Sequence, residues 1–73
     1  MSKTKLKLKI NGKTKEVTGP LDLAALLSLL ELPGDGQGIA VEHNREIVAK
    51  KDYVQTKLLD GDQLEIVTLV GGG

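Results

Sequence analysis

The sequence predicts an α+β domain in which one main helix packs on a mixed sheet of four to five strands. Three observations carry that expectation. An alternating apolar segment runs into an Asn-Gly pair that turns it back as a hairpin, a leucine stripe at helical spacing follows, and short strand-like runs bounded by turn residues fill the remainder. A helix with one apolar stripe must bury it against another layer, and only the strands can supply that layer.

Leu6 to Ile10 is the first strand, because Leu6, Leu8 and Ile10 alternate with Lys5, Lys7 and Lys9 in the pattern of a half-buried strand. Asn11-Gly12 is a strong signal for a two-residue hairpin, since both turn positions need a positive φ. Lys13 to Val17 returns as the second strand, and Gly19-Pro20 closes it. Asp22 is placed to cap a helix, its carboxylate accepting from the first free amides. Leu23, Leu26, Leu27 and Leu30 then fall on one helical face, with an end expected near Leu32, ahead of Pro33-Gly34.

Gly34 to Gly38 reads as a loop, Ile39 to Glu42 as the third strand, His43-Asn44-Arg45 as a turn and Glu46 to Val48 as a short fourth strand. Lys50 to Thr56 reads as irregular, with room for one helical turn around Tyr53. Asp60-Gly61-Asp62 is a turn, and Gln63 to Val70 is the last strand. Leu64 and Ile66 should face inward, leaving Glu65, Val67 and Leu69 on the open side.

The chain has 73 residues, 40% of them apolar, with no Cys, Trp or Phe and a single Tyr. A domain of this size buries only roughly 60% of its unfolded surface, so one modest aliphatic core is expected. Absence of cysteine excludes a disulfide scaffold and a zinc–thiolate site. No stretch has the length of a membrane span or the pattern of a signal peptide, so a cytoplasmic protein without membrane association is expected. Net charge is zero but uneven: residues 1–15 carry six lysines and no acid, the rest four bases and ten acids. Without an aromatic nearby to stack a base, the lysines read as a solvated, aggregation-resistant sheet face, and no nucleic-acid partner is expected.

Local patterns that suggest chemistry do not hold. The Gly34-Gly36-Gly38 run lacks the following helix and Lys-Ser/Thr pair of a phosphate loop. Asp60-Gly61-Asp62 lacks the spaced oxygens of a calcium loop. His43 reads as a solvated turn residue and Tyr53 as a packing anchor. With no metal site and no set of acid, base and nucleophile, the chain reads as a substrate or carrier, not an enzyme.

The chain ends on Gly71-Gly72-Gly73 directly after an apolar strand. Residues without a Cβ are thin enough to thread a narrow active site, and the terminal carboxylate is then the only reactive group at the tip. Glycine-rich ends also occur as plain linkers, which leaves a passive interaction domain as an alternative.

Ile39-Ala40-Val41 with Asn44 and Glu46-Ile47-Val48, Asp60 to Val67, and the closing glycines together resemble the thiamine-biosynthesis sulfur carriers (ThiS-type) of the ubiquitin-like β-grasp family. The resemblance covers essentially the whole chain. It implies a β-grasp domain over residues 1–69 and a flexible tail over 70–73. It implies that Gly73 is adenylated by a separate E1-like enzyme consuming ATP, converted to a thiocarboxylate by a persulfide donor, and discharged on thiazole synthase. It implies too that Gly71 and Gly72 thread the partner active sites and that the carrier itself binds no cofactor. A small sheet with a single helix is expected to be monomeric alone.

The diglycine end is shared with molybdopterin synthase small subunits and protein modifiers, so sulfur donation to molybdopterin or tRNA, or protein modification, remain alternatives. Val67 and Leu69, beside Lys7 and the other outward lysines of the first strand, are the expected docking patch.

Overall fold

Asn11 and Gly12 adopt φ values of +51° and +84°, the pair of left-handed conformations that a two-residue turn needs to match strand twist. They join β1 (Thr4–Ile10) to β2 (Lys13–Gly19) in an antiparallel register that pairs Ile10 with Lys13 and Thr4 with Gly19. The computed structural model describes residues 3–33 and 36–69, so Val70 and the expected 70–73 tail lie outside the described residues.

A cis Gly19-Pro20 peptide leads from β2 into the helix α1 (Leu23–Leu29). Asp22 caps it as expected, its side chain accepting from the Ala25 amide at 2.8 Å. Leu23, Leu26 and Leu27 are fully buried. A helix of seven residues is too short to persist alone, so burial of this stripe is what holds it. The helix stops three residues before the expected Leu32. The Glu31 amide reaches Ser28 O and the Leu32 amide reaches Leu27 O, closing the end with Glu31 at φ +62°. This is the arrangement usually built on glycine, which is why its position was not visible in the sequence.

The chain continues through β3 (Ile39–His43), β4 (Glu46–Ile47), a 3-10 helix (Lys50–Gln55) and β5 (Gln63–Thr68). The five strands form one mixed sheet in the order β2-β1-β5-β3-β4. The last strand is therefore the central one, parallel to β1 through Lys9–Gln63 and Ile10–Leu64 and antiparallel to β3 from Ile39–Thr68 to His43–Leu64. One face buries Leu6, Leu8, Val17, Ile39, Val41, Leu64 and Ile66 against the helix leucines, with Tyr53 and Leu58 closing the core from the last connection. Each such aliphatic side chain contributes about 1.5–3 kcal/mol by leaving water.

Tyr53 is 1% exposed, as its anchoring role requires, and its ring packs against a backbone that must be glycine. Gly36 sits at φ +80°, and a Cβ placed there would stand 2.5 Å from Tyr53 Cε2. Replacing Gly36 with Ala combines a left-handed backbone penalty with a clash against a buried ring, an expected loss of roughly 2–4 kcal/mol. Chemical denaturation of Gly36→Ala beside the parent chain measures it.

Candidate functional site

β5 delivers the chain to its C-terminal glycines, and its surroundings define the candidate site. Leu64 and Ile66 point into the core, at 1% and 9% exposure, while Val67 and Leu69 are each 54% exposed. The expected alternation along this strand therefore holds. Gly71, Gly72 and Gly73, expected to carry the chemistry, lie outside the described residues.

On the open face Val67 pairs with Ala40, Glu65 with Glu42, and Glu42 in turn with Ile47. Residues opposite one another on paired strands share a face, so Ala40, Ile47 and Val67 form an apolar surface around two carboxylates. Ile47 is 80% exposed, and it was not among the expected docking residues because only the pairing of Glu42 with Ile47 sets it on this face.

Lys7 is not part of this surface. The parallel register places it level with Gly61, whose amide donates to Lys7 O at 2.8 Å. Six residues of extended chain separate that level from Val67, about 20 Å along the strand. The expectation that the outward lysines flank Val67 fails because the parallel register sets Lys9 opposite Gln63, so the lysines of β1 lie level with the start of β5 and the turn before it.

The approach to β5 is fixed by a buried carboxylate. Asp62 is 8% exposed, and its Oδ2 accepts from the Leu59 amide at 2.9 Å and from His43 Nε2 at 2.7 Å. Its Oδ1 accepts from Asn44 Nδ2 at 3.2 Å. His43, expected to be a solvated turn residue, is the last residue of β3 with its side chain only 22% exposed. Asn44 and Arg45 make the turn, at φ +51° and +73°. Asn44 Oδ1 also accepts from the Gln63 amide at 2.9 Å, so one turn side chain touches both Asp62 and the first residue of β5. Asp60 Oδ1 accepts from the Lys7 amide at 2.7 Å, tying the same turn to β1.

Burial by itself would raise the Asp62 pKa, but hydrogen bonds from His43, the Leu59 amide and Asn44, with the charge of His43, hold it below the ordinary carboxylate value. A carboxyl depressed in the folded state stabilises the fold above its unfolded value, near pH 4, and that contribution is lost as pH falls through the folded value. Among the described residues no three His, Asp or Glu side chains converge to hold a metal ion.

The network predicts that Asp62→Asn destabilises the domain at pH 7 by about 1.5–3 kcal/mol, since charge-assisted bonds are lost. It also predicts that the difference from the parent shrinks as pH drops below about 4. Denaturation curves at a series of pH values read both effects.

The chain and its fold are similar to known proteins. The model of the ThiS family matches residues 8–73. The sulfur carrier protein ThiS of Bacillus subtilis is 40% identical over 70 residues, covering 90% of this chain and 98% of its own length. A thiazole synthase from Paramagnetospirillum magneticum is 46% identical over 68 residues, which is 93% of this chain but only 20% of that protein. The crystal structure of the thiamine biosynthesis protein ThiS from Geobacter metallireducens superposes with a TM-score of 0.77 at 33% identity, covering 93% of this chain and 100% of that one. The sheet and helix are thus the β-grasp arrangement that the resemblance implied. The chain belongs to the ThiS family.

Proposed function

We propose that the Gly73 carboxylate is the group on which this chain carries sulfur for the thiazole of thiamine, and that the folded body serves to dock it on partner enzymes. The carrier role follows from membership of the ThiS family, whose match runs through Gly73 itself. That match is the observation that carries the reading. The thiazole synthase relative supports the acceptor, because a segment like this chain forms part of a protein bearing that name.

A carboxylate is a poor electrophile, so it must be activated before sulfur can enter. In a separate adenylating enzyme the Gly73 carboxylate attacks the α-phosphorus of ATP, and pyrophosphate leaves. The terminal sulfur of a donor persulfide then attacks the acyl carbon and displaces AMP. A thiol on the partner side cleaves the resulting S–S bond, freeing the thiocarboxylate and closing a disulfide on the donor. Thiazole synthase takes the sulfur from the thiocarboxylate. The chain is substrate in each step, and the reading places it in the cytoplasm with its ATP supply.

This chain contributes three physical features. Gly71 and Gly72 lack a Cβ, so partner walls can close around the backbone. The chain has no cysteine, so it offers no thiol of its own to capture the activated carbonyl. The apolar surface of Ala40, Ile47 and Val67 lies beside the strand that leads to Gly73, which suits it to dock a partner that must also receive the tail.

The test is accurate intact mass with C-terminal peptide sequencing after incubation with ATP, an adenylating enzyme and a sulfur donor. One oxygen replaced by sulfur on Gly73 is the expected result. Localisation is essential because Met1 sulfoxide has the same nominal mass change. An unchanged terminus, with the enzyme active on another carrier, would overturn the reading. In the same assay Val67→Glu should raise the KM for the carrier and leave the melting temperature unaltered.

A further inference from the structure

The Asn11 side chain makes two hydrogen bonds that the hairpin turn does not require. Its Oδ1 accepts from the Ile66 amide at 2.7 Å, and its Nδ2 donates to Ile66 O at 3.0 Å, across 55 residues of sequence. The Asn11 backbone amide meanwhile donates to Leu64 O at 2.9 Å, the last main-chain bond that β1 offers to β5. At that point β1 turns away into the hairpin while β5 continues to Thr68. Had β1 run on, its next carbonyl and amide would have met Ile66. The Asn11 carboxamide takes their place, since a carboxamide carries the same donor and acceptor as a peptide unit. On the other side β5 is held through Thr68 by β3, and the Leu69 amide donates to Gly38 O at 2.7 Å. Past Leu64, the carboxamide supplies the hydrogen bonds on the β1 side among the described residues.

We propose that Asn11 is a positioning residue for the carrier reaction: its carboxamide extends the β1–β5 ladder to Ile66 and so fixes the level and direction from which the segment ending at Gly73 enters a partner's active site. The proposal rests on the carrier reading above and adds a named residue to it. Asparagine suits the position because it tolerates the φ of +51° and carries both hydrogen-bonding groups. Glycine meets the first requirement only, and aspartate lacks the donor. Tail insertion follows docking, so a misdirected strand end slows the step within the complex and leaves the affinity of the body for its partner in place. Misplacement of a reacting group by about 1 Å costs up to roughly a hundredfold in rate.

Asn11→Gly separates the turn from the carboxamide, because Gly-Gly satisfies the same turn. With the full chain, its adenylating enzyme and ATP, the expected result has three parts: faster amide exchange confined to Ile66 and its neighbours, a partner Kd close to that of the parent, and a single-turnover adenylation rate roughly ten- to hundredfold lower. Asn11→Asp keeps the acceptor for the Ile66 amide and should fall between the two. It decides the question should Asn11→Gly unfold, with a lowered rate at unchanged Kd as the expected result. A parent-like adenylation rate in the folded variant overturns the positioning role alone. Failure of the parent chain itself to be adenylated, by an enzyme active on another carrier, overturns the carrier reading and this role with it.

Discussion

Everything in this domain depends on how β5 is held in the middle of the sheet. It is the last strand in the chain and the central one of the sheet, with β1 in parallel and β3 in antiparallel register on either side. Its main-chain ladder is completed by two asparagines from two different turns of the same kind. Asn44, between β3 and β4, accepts from the amide of Gln63 where the strand begins. Asn11, between β1 and β2, binds both backbone groups of Ile66 where β1 has already turned away. Asp62, just ahead of the strand, gathers Leu59, His43 and Asn44 onto one carboxylate. A buried carboxylate is tolerable only when its lone pairs are met, and here three donors meet them.

This construction suits a small domain. A short helix and an aliphatic core leave little surplus stability, since domains of this length bury a limited share of their surface. Polar side chains reaching from turns onto a central strand add order without adding residues. They also leave the open face free, where Ala40, Ile47 and Val67 stand around Glu42 and Glu65. On the proposed function the folded body and the terminal glycines would have separable tasks, the body supplying shape and surface and the terminus a carboxylate.

Much of the fold was legible because short-range chemistry dictated it. Asn11-Gly12 announced a turn through its backbone preference, Asp22 announced a cap, and the spacing of Leu23, Leu26 and Leu27 announced the buried helix face. What was missed depends on contacts far apart in sequence or on unusual residues in common roles. A two-residue alternation is the same whichever way a strand runs, so nothing local revealed that β5 lies parallel to β1 and carries Lys7 away from Val67. The His43–Asp62 pair joins residues whose proximity exists only once β3 and β5 are in register. Glu31 and Arg45 hold left-handed conformations normally signalled by glycine. Ile47 needed the β3–β4 pairing to join the open face.

The central claim is that docking belongs to the folded body and chemistry to the terminal glycine. A chain lacking Gly72 and Gly73 tests this most directly when its binding to the adenylating enzyme is measured by calorimetry and by competition with the full chain. The account predicts that the shortened chain binds with an affinity close to that of the parent, competes with it, and is never adenylated. Loss of binding together with loss of adenylation would contradict it, because the tail rather than the β5 face would then carry the recognition.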